Sequence, residues 1–376
     1  MLHPINPPSC VNELLALVDL QKKTLEFAEA NSTYSDAVFK AFVPIKFVDW
    51  LLNLKINGRK DAKKVATDFL NDLGQYVQYP QVEKRQVLAD FIHDQSFYAE
   101  IDNPLFEFSL LSTKSIAHNL ASRLLVKFYS LLGEGYPPEL VGRTSGTSSF
   151  AKRDVIAGYV ETNDSIEYVC PCCDNAYTTD NPRTINGQGC TIEHYFPKSI
   201  YPSLSLHPLN LIPMCDFCNN KKEDKDPLNL LLQPAPLLIP YEEVFHPYSR
   251  PVRNIATLMV TSNSTLPEKL EFKAKNPPPT YGSSIEAYSI IYQIPDRWNK
   301  SRTKVDNRVA LYIRRVQRRF GGVRIDDRVF DQILQEAIDE LVDSFGSDHL
   351  SYPAASWLTW ARVNKFQDLK SSFVIL

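Results

Sequence analysis

Cys170-Pro171-Cys172-Cys173 and Cys215-Asp216-Phe217-Cys218 are two thiol hooks on one chain. Two cysteines three apart at a tight turn bring both sulfurs to one ion, and two such hooks supply the four sulfurs that tetrahedral Zn²⁺ prefers. Cys170 has two candidate partners in the first hook, Cys172 and Cys173, and the three-residue step favours Cys173. A disulfide or reduced spectator thiols are the alternatives. Between and beside the hooks stand Glu193-His194-Tyr195-Phe196-Pro197, Asn210 and Asn219-Asn220-Lys221-Lys222. They bring a carboxylate, an imidazole, amides and amines into one short stretch.

From about Cys170 to about Asp226 this stretch resembles the HNH, or ββα-metal, endonuclease family. Glu193-His194 with Pro197 three places after the histidine is similar to the family's acidic-His-x-x-Pro signature. Asn210-Leu211-Ile212-Pro213 is similar to its central Asn-Leu segment, and Cys218-Asn219-Asn220-Lys221-Lys222 to its Cys-His/Asn-x-x-Lys ending. Glu193 stands where Asp is more usual, and Asn219 where the last His often is. Both are oxygen donors, which points to a hard cation, Mg²⁺ or Mn²⁺.

Hydrolysing a phosphodiester needs an activated water, stabilisation of charge on the phosphoryl oxygens and help for the leaving oxygen. His194 is the candidate general base, because a neutral imidazole titrates near working pH. Glu193 and Asn219 are the candidate ligands of the catalytic metal. The resemblance implies that Asn210 bonds backbone across the loop and orients His194, and that the products carry a 5′-phosphate and a 3′-hydroxyl.

Neighbouring residues on a regular strand face opposite ways, so Glu193 and His194 can serve one ion only where the strand bends or ends. Gly187 and Gly189 upstream, and Pro197 and Pro202 downstream, supply such irregularity. A short helix opens from Cys215 to Lys222, with Asn219 near its start. The expected unit is hairpin, loop, helix, with an approach strand over Ile166–Val169. It is too small to bury much core, so the Cys170, Cys173, Cys215 and Cys218 site would staple it. His207 and His246 read as loop histidines, and Cys10 and Cys190 as free thiols.

The chain has 376 residues, 44% of them apolar, and a formal charge of −3. That length predicts two or three domains. Positive charge is concentrated from Arg297 to Arg328, where eleven Lys or Arg face three Asp. Val305, Val309, Ile313 and Val316 mark the inward stripe of the same segment. Arg314, Arg315, Arg318 and Arg319, with Lys198 and Lys222 near the hooks, are the candidate DNA-backbone contacts. The N-terminus does not read as a secretory leader, and no apolar run approaches a membrane span. Thiols held for a metal suit a reducing interior, so a cytoplasmic location is expected.

The expected fold class is mainly α around a small zinc-stapled ββα-metal core, α+β overall. Residues 1–141 form a helical domain, with apolar groups such as Leu14, Leu15, Val18, Leu120, Leu124, Leu125 and Phe128 at helical spacing. Gly58, Gly74 and Pro80 punctuate it. Residues 142–158 read as a Gly/Ser/Thr-rich linker and 159–250 as the nuclease core. Residues 251–376 hold a hairpin, Thr257–Val260 with Leu270–Phe272, turning at Ser262-Asn263-Ser264. Asn276-Pro277-Pro278-Pro279 interrupts, and helices resume near Ser284. The clearest of these runs from Asp327 to Phe345, stopped by Gly346, and a last helix from Pro353 carries Trp357 and Trp360.

A DNA endonuclease with catalytic Mg²⁺ or Mn²⁺ and structural Zn²⁺ is therefore expected. HNH proteins with helical flanks resemble effectors of bacterial anti-phage systems, which implies a regulatory partner such as an ATPase. A restriction or mobile-element nuclease is the alternative within the class. A zinc module binding nucleic acid or protein without catalysis is the alternative outside it, and it has no need of Glu193, His194 or Asn219.

Overall fold

Nine-residue and longer runs with apolar groups every third or fourth position dominate the N-terminal third, and each becomes a helix. The computed structural model describes residues 2–110, 113–163, 169–175, 190–263, 266–274, 281–321, 325–345 and 347–373. Helices α1 (Val11–Ala30), α2 (Asp36–Phe42), α3 (Ile45–Asn57), α4 (Lys60–Val77), α5 (Gln81–Asp94) and α6 (Ile116–Leu131) form the N-terminal layer. On α1, Leu14, Leu17, Val18, Leu25 and Ala28 point inward. Leu15, expected among them, is 42% exposed, because a step of one residue turns it off that face. Leu120, Leu124, Leu125 and Phe128 of α6 are all buried. Ser115 caps α6 by accepting from the His118 N–H at 3.2 Å. Gly74 does not punctuate this region. It lies inside α4, which runs unbroken to Val77.

The stretch expected as a linker is partly helical. Gly142, at φ 73°, closes a short 3-10 segment over Pro138–Val141 in a conformation that a Cβ would strain. The chain is then irregular until α7 (Lys152–Thr162), whose Val155, Ile156 and Tyr159 are buried. The Asp154 carboxylate accepts from the Ala151 N–H at 2.9 Å and anchors the start of this helix.

Next come β1 (Cys190–His194), β2 (Leu211–Cys215) and α8 (Asp216–Lys222). The strands are antiparallel, with Cys190 opposite Cys215 and His194 opposite Leu211, and α8 follows β2 directly. The expected hairpin, loop and helix are thus present. Strands β3 (Asn229–Leu230) and β4 (Leu237–Leu238) make a minimal second pair.

The C-terminal part is α9 (Val252–Ile255), β5 (Ala256–Asn263), β6 (Leu266–Ala274), α10 (Gly282–Tyr292), α11 (Ile294–Lys300), α12 (Arg302–Gln317), α13 (Asp327–Asp343), α14 (Ser351–Asn364) and α15 (Phe366–Phe373). The expected hairpin is β5 with β6, antiparallel and longer at both ends than its apolar centre. On α13, Phe330, Ile333, Leu334, Ala337, Ile338 and Leu341 are buried, and Asp326 caps the helix by accepting from Val329 N–H at 2.9 Å. Val342, assigned to the same face, is 46% exposed. The tryptophan-bearing helix begins at Ser351, two residues before Pro353, which suits the proline's tolerance for the first turn. Residues 166–168, 187, 189, 264, 276–279, 324 and 346, on which other expectations fell, lie outside the described residues.

Helices α4, α5 and α6 pack on α1, α8 on both strands and on α10, and β5–β6 on α10, α11 and α14. Buried apolar side chains run continuously through all three parts. The whole is mostly helical with small antiparallel sheets, an α+β arrangement. Among the described residues, no helix is long and apolar enough to cross a membrane.

Candidate functional site

Each hook is shaped by its own backbone. The Cys170 carbonyl accepts from the N–H groups of Cys173 at 3.2 Å and Asp174 at 3.0 Å, a tight turn finished by Asp174 at φ 56°. The second hook is the start of α8, with Cys215 at the N-cap and Cys218 in the first turn. The sulfurs of Cys170, Cys173, Cys215 and Cys218 all lie within 4.8 Å of one another and are buried. Cys173, rather than Cys172, is therefore the partner of Cys170.

Four sulfurs at about 2.3 Å from one Zn²⁺ would stand about 3.8 Å apart along each tetrahedral edge. Cys173 Sγ and Cys215 Sγ stand 3.7 Å apart, too far for a disulfide and right for a shared ion. The donor set fits zinc.

Residues distant in sequence surround this cluster. Arg297 on α11 points Nη1 at Cys173 Sγ (3.1 Å), while its guanidinium lies 4.0 Å over the Phe217 ring. The Trp298 indole donates to the Cys173 carbonyl at 3.1 Å and the Tyr288 hydroxyl to the Cys172 carbonyl at 2.7 Å. The Cys215 N–H points at Cys170 Sγ from 3.3 Å. Asp174 accepts from Tyr352 N–H at 2.8 Å and pairs with His3 at 2.7 Å, so both ends of the chain close on the first hook. Arg297, counted by sequence within a DNA-facing basic segment, belongs to the metal centre instead.

On the other side of the hairpin, β1 ends at His194, and this ending resolves the facing problem. The Glu193 carboxylate folds back to accept the His194 N–H at 2.9 Å, which leaves its Oε1 3.7 Å from His194 Nδ1. The opposite ring nitrogen, Nε2, lies 2.9 Å from the Ser205 carbonyl. A carbonyl only accepts, so Nε2 carries the proton and Nδ1 holds the lone pair. Nδ1 is buried without a hydrogen-bond partner, and 3.7 Å is too long for one to Glu193. Two acceptors facing across such a gap suit a water or a cation between them. Glu193, 18% exposed at its side chain, is the solvent-side member of the pair.

Burial lowers the basicity of His194, partly offset by Glu193. Burial would raise the Glu193 carboxyl, whereas the charge of Lys222 and the hydrogen bond from the His194 backbone N–H act to lower it. Lys222 is itself pushed down to about 8, chiefly by burial. It is only 1% exposed, which does not suit the backbone contact expected of it, and its ammonium donates to the Glu223 carbonyl at 3.4 Å. Asn219 lies three residues before Lys222 on α8 and is half-buried.

Asn210 is fully buried and spans its loop as expected. Its amide donates to the carbonyls of Phe196 (3.0 Å) and Leu204 (3.1 Å), and its oxygen accepts from Phe196 N–H at 2.8 Å. The loop is also fastened to the N-terminal helices. Gln21 of α1 donates to Ser205 Oγ at 3.0 Å and to the Leu125 carbonyl at 3.1 Å, and Ser205 Oγ donates to the same carbonyl at 3.0 Å. Ser203 donates to Asp94 of α5 at 2.7 Å. The Tyr129 ring meets His194 edge-on at 4.3 Å, with its hydroxyl donating to the Ile192 carbonyl at 2.8 Å. Gln21, Tyr129 and Ser205 carry no local motif, so only long-range packing identifies them. His207 and His246 are enclosed by aromatic rings, including Phe97, away from solvent. Cys10 and Cys190 are buried and not joined in a disulfide.

Arg314 and Arg315 lie on α12, and Arg318 and Arg319 on the short 3-10 segment Arg318–Phe320 that follows. Arg315 and Arg319 both pair with Glu340 of α13, and Arg308 pairs with Asp348 at 2.6 Å. Both acids lie outside the basic segment and offset part of its charge excess. Arg315 and Arg319 stay more than half exposed, and such surface pairs exchange partners at little cost. Comparison of the chain with protein-family profiles, curated proteins and solved structures finds no match.

Proposed function

We propose that this chain is a metal-dependent HNH endonuclease that hydrolyses DNA phosphodiesters. The observation that carries the reading is the tautomer of His194. Its Nε2 proton is committed to the Ser205 carbonyl, and its unpaired Nδ1 faces Glu193 at the end of a two-strand, one-helix unit. A general base requires such an oriented lone pair.

In this reading His194 takes the proton of the attacking water at Nδ1, and Ser205 keeps the ring in the productive tautomer. Glu193 and Asn219 hold Mg²⁺ or Mn²⁺, which supplies Lewis-acid stabilisation of the phosphoryl oxygens and leaving group. Glu193 is suited to this because it stays ionised across the whole working range. Asn210 holds the loop that carries Ser205. Zn²⁺ on the four cysteines is structural, with every ligand position filled by protein. A controlling partner such as an ATPase, a place in anti-phage defence and a cytoplasmic site of action belong to the same proposal and rest on the resemblance alone.

The test is cleavage of supercoiled plasmid by wild type and His194→Ala, both confirmed to hold zinc, with Mg²⁺, Mn²⁺ or EDTA. Metal-dependent cutting by wild type, reduced at least a hundredfold in the variant, is expected. Equal cutting by both proteins excludes His194 as the base. Absence of cutting by wild type, alone and with lysate of phage-infected cells, favours the non-catalytic zinc module.

A further inference from the structure

Arginines four apart occur twice at the end of α12, and the two pairs meet different fates. Arg315 and Arg319 share Glu340 of α13. Arg314 and Arg318 are both exposed, and neither pairs with an acid among the described residues. The Arg318 N–H still bonds to the Arg314 carbonyl, so the two are neighbours on one helical turn. Like charges at that spacing destabilise a helix. The Arg314 guanidinium lies 5.9 Å from the Phe373 ring centre, a contact that orients it without cancelling its charge.

Both arginines line a concavity of about 620 Å³ that continues along α12 past Leu311 to Asn307. Positions 307, 311, 314 and 318 recur at helical spacing and form one outward stripe. Leu311, in its middle, is 55% exposed. Asp348, the acid that borders the concavity, is committed to Arg308 at 2.6 Å and to the Tyr312 hydroxyl at 2.8 Å. Lys198, half-buried and 5.4 Å from the Tyr129 ring centre, is not part of this stripe.

We propose that Arg314 and Arg318 form a groove for the phosphodiester backbone of double-stranded DNA. The inference rests on the nuclease reading for the identity of the partner, but the contact itself is binding and not chemistry. Two guanidiniums without an internal counter-charge complement a polyanion, whose phosphates offset the repulsion between them. The planar fork of each matches phosphate oxygens two at a time, which positions a duplex without reading its sequence. Grooves for single strands stack bases on exposed aromatic rings, whereas the aromatic residue lining this one, Tyr312, is buried. α12 follows α11 after Ser301, and α11 is bonded to the first hook through Arg297 and Trp298. The groove thus belongs to the same frame as the metal centre.

The experiment uses the full-length, zinc-loaded His194→Ala protein, which does not consume the probe. Its affinity for a short labelled DNA duplex, the corresponding single strand and an RNA strand is measured across about 50 to 200 mM salt. Changing Arg314 and Arg318 together to Gln is expected to lower the duplex salt slope by about two and to weaken all duplex sequences alike. Changing both to Lys is expected to retain the slope. Arg315→Gln with Arg319→Gln is expected to lower it less, because Glu340 already balances that pair. Zinc content and melting temperature serve as folding controls. An unchanged slope in the folded Arg314/Arg318 variant overturns the proposal, as do an equal or larger fall in the Arg315/Arg319 variant, an effect confined to single strands or RNA, and failure of the parent to bind duplex. Plasmid cutting by wild type beside an unchanged slope overturns the groove and leaves the nuclease reading standing. A slope that depends on Arg314 and Arg318, in a protein whose wild type cuts no plasmid, upholds the groove and overturns the nuclease reading.

Discussion

Arg297 on α11 donates to Cys173 on the first hook, Nη1 to Sγ, across 3.1 Å, and its guanidinium is fixed there by the ring of Phe217 from the second hook. Four thiolates around Zn²⁺ carry a net charge of about −2, and the half-buried guanidinium of Arg297 offsets half of it. The C-terminal region is thereby joined electrostatically to the metal centre.

Arg297→Leu is expected to release zinc to a competing chelator ten- to a hundredfold faster, in line with the loss of an outer-shell partner. Arg297→Lys restores part of the retention through charge alone, because it lacks the flat group that stacks on Phe217. Release at the wild-type rate in both variants would show that Arg297 is a bystander.

Stripping zinc altogether is expected to unfold the hairpin and α8 before the helices. The staple contributes on the order of 10 kcal/mol of apparent binding energy to a unit too small to hold a core of its own. Limited proteolysis of the chelated protein should cut first between Val169 and Arg250, while most of the helical circular dichroism persists. Protease resistance equal to that of the zinc form would contradict the structural role.

Gln21→Leu tests whether the N-terminal helices position the base. It removes the donor to Ser205 Oγ and to the Leu125 carbonyl, at a cost of about 1–3 kcal/mol in stability. Ser205 also presents the carbonyl that orients His194, so plasmid cleavage should fall ten- to a hundredfold with zinc content unchanged. A stability loss with full cleavage would confine Gln21 to packing.

His207 supplies a pH dependence of stability. Burial against Phe97 pushes its pKa down to about 4, against about 6.5 in the unfolded chain. The unfolded state therefore binds the proton first as pH falls, and stability is complete above about 6.5 and declines toward 4. The loss amounts to roughly 3 kcal/mol at the lower end, at about 1.4 kcal/mol per unit. Burial shifts His246 in the same direction and steepens the decline. Denaturant midpoints for wild type and His207→Gln across this window provide the check, and the variant should show the shallower slope.

Much of the candidate site was legible in the chain itself because its chemistry is local. Hooks of fixed spacing make their own turns, an apolar segment such as Leu211–Met214 makes a buried strand, and a helix can start only where Cys215 leaves that strand. The cluster of four cysteines and the order hairpin, loop, helix follow from contacts within about fifty residues, whereas the span of Asn210 across its loop was an expectation of the resemblance. The long helix after Asp326 was legible for the same reason, from its periodic face, whereas its capping aspartate emerged from the structure.

What tertiary structure decided is the fate of each charged or polar side chain whose partner lies far along the chain. Lys222 and Arg297 look alike in sequence to surface cations. Packing leaves the first donating to the Glu223 carbonyl and the second to Cys173 Sγ, because a charge taken from water without polar partners is costly. Glu340 and Asp348, outside the basic segment, take up several of its arginines. His194 acquires a defined tautomer only because Gln21 and α6 hold Ser205 in place, more than a hundred residues after Gln21. Local spacing determines which groups are available, and long-range packing determines which atom of each is free to react.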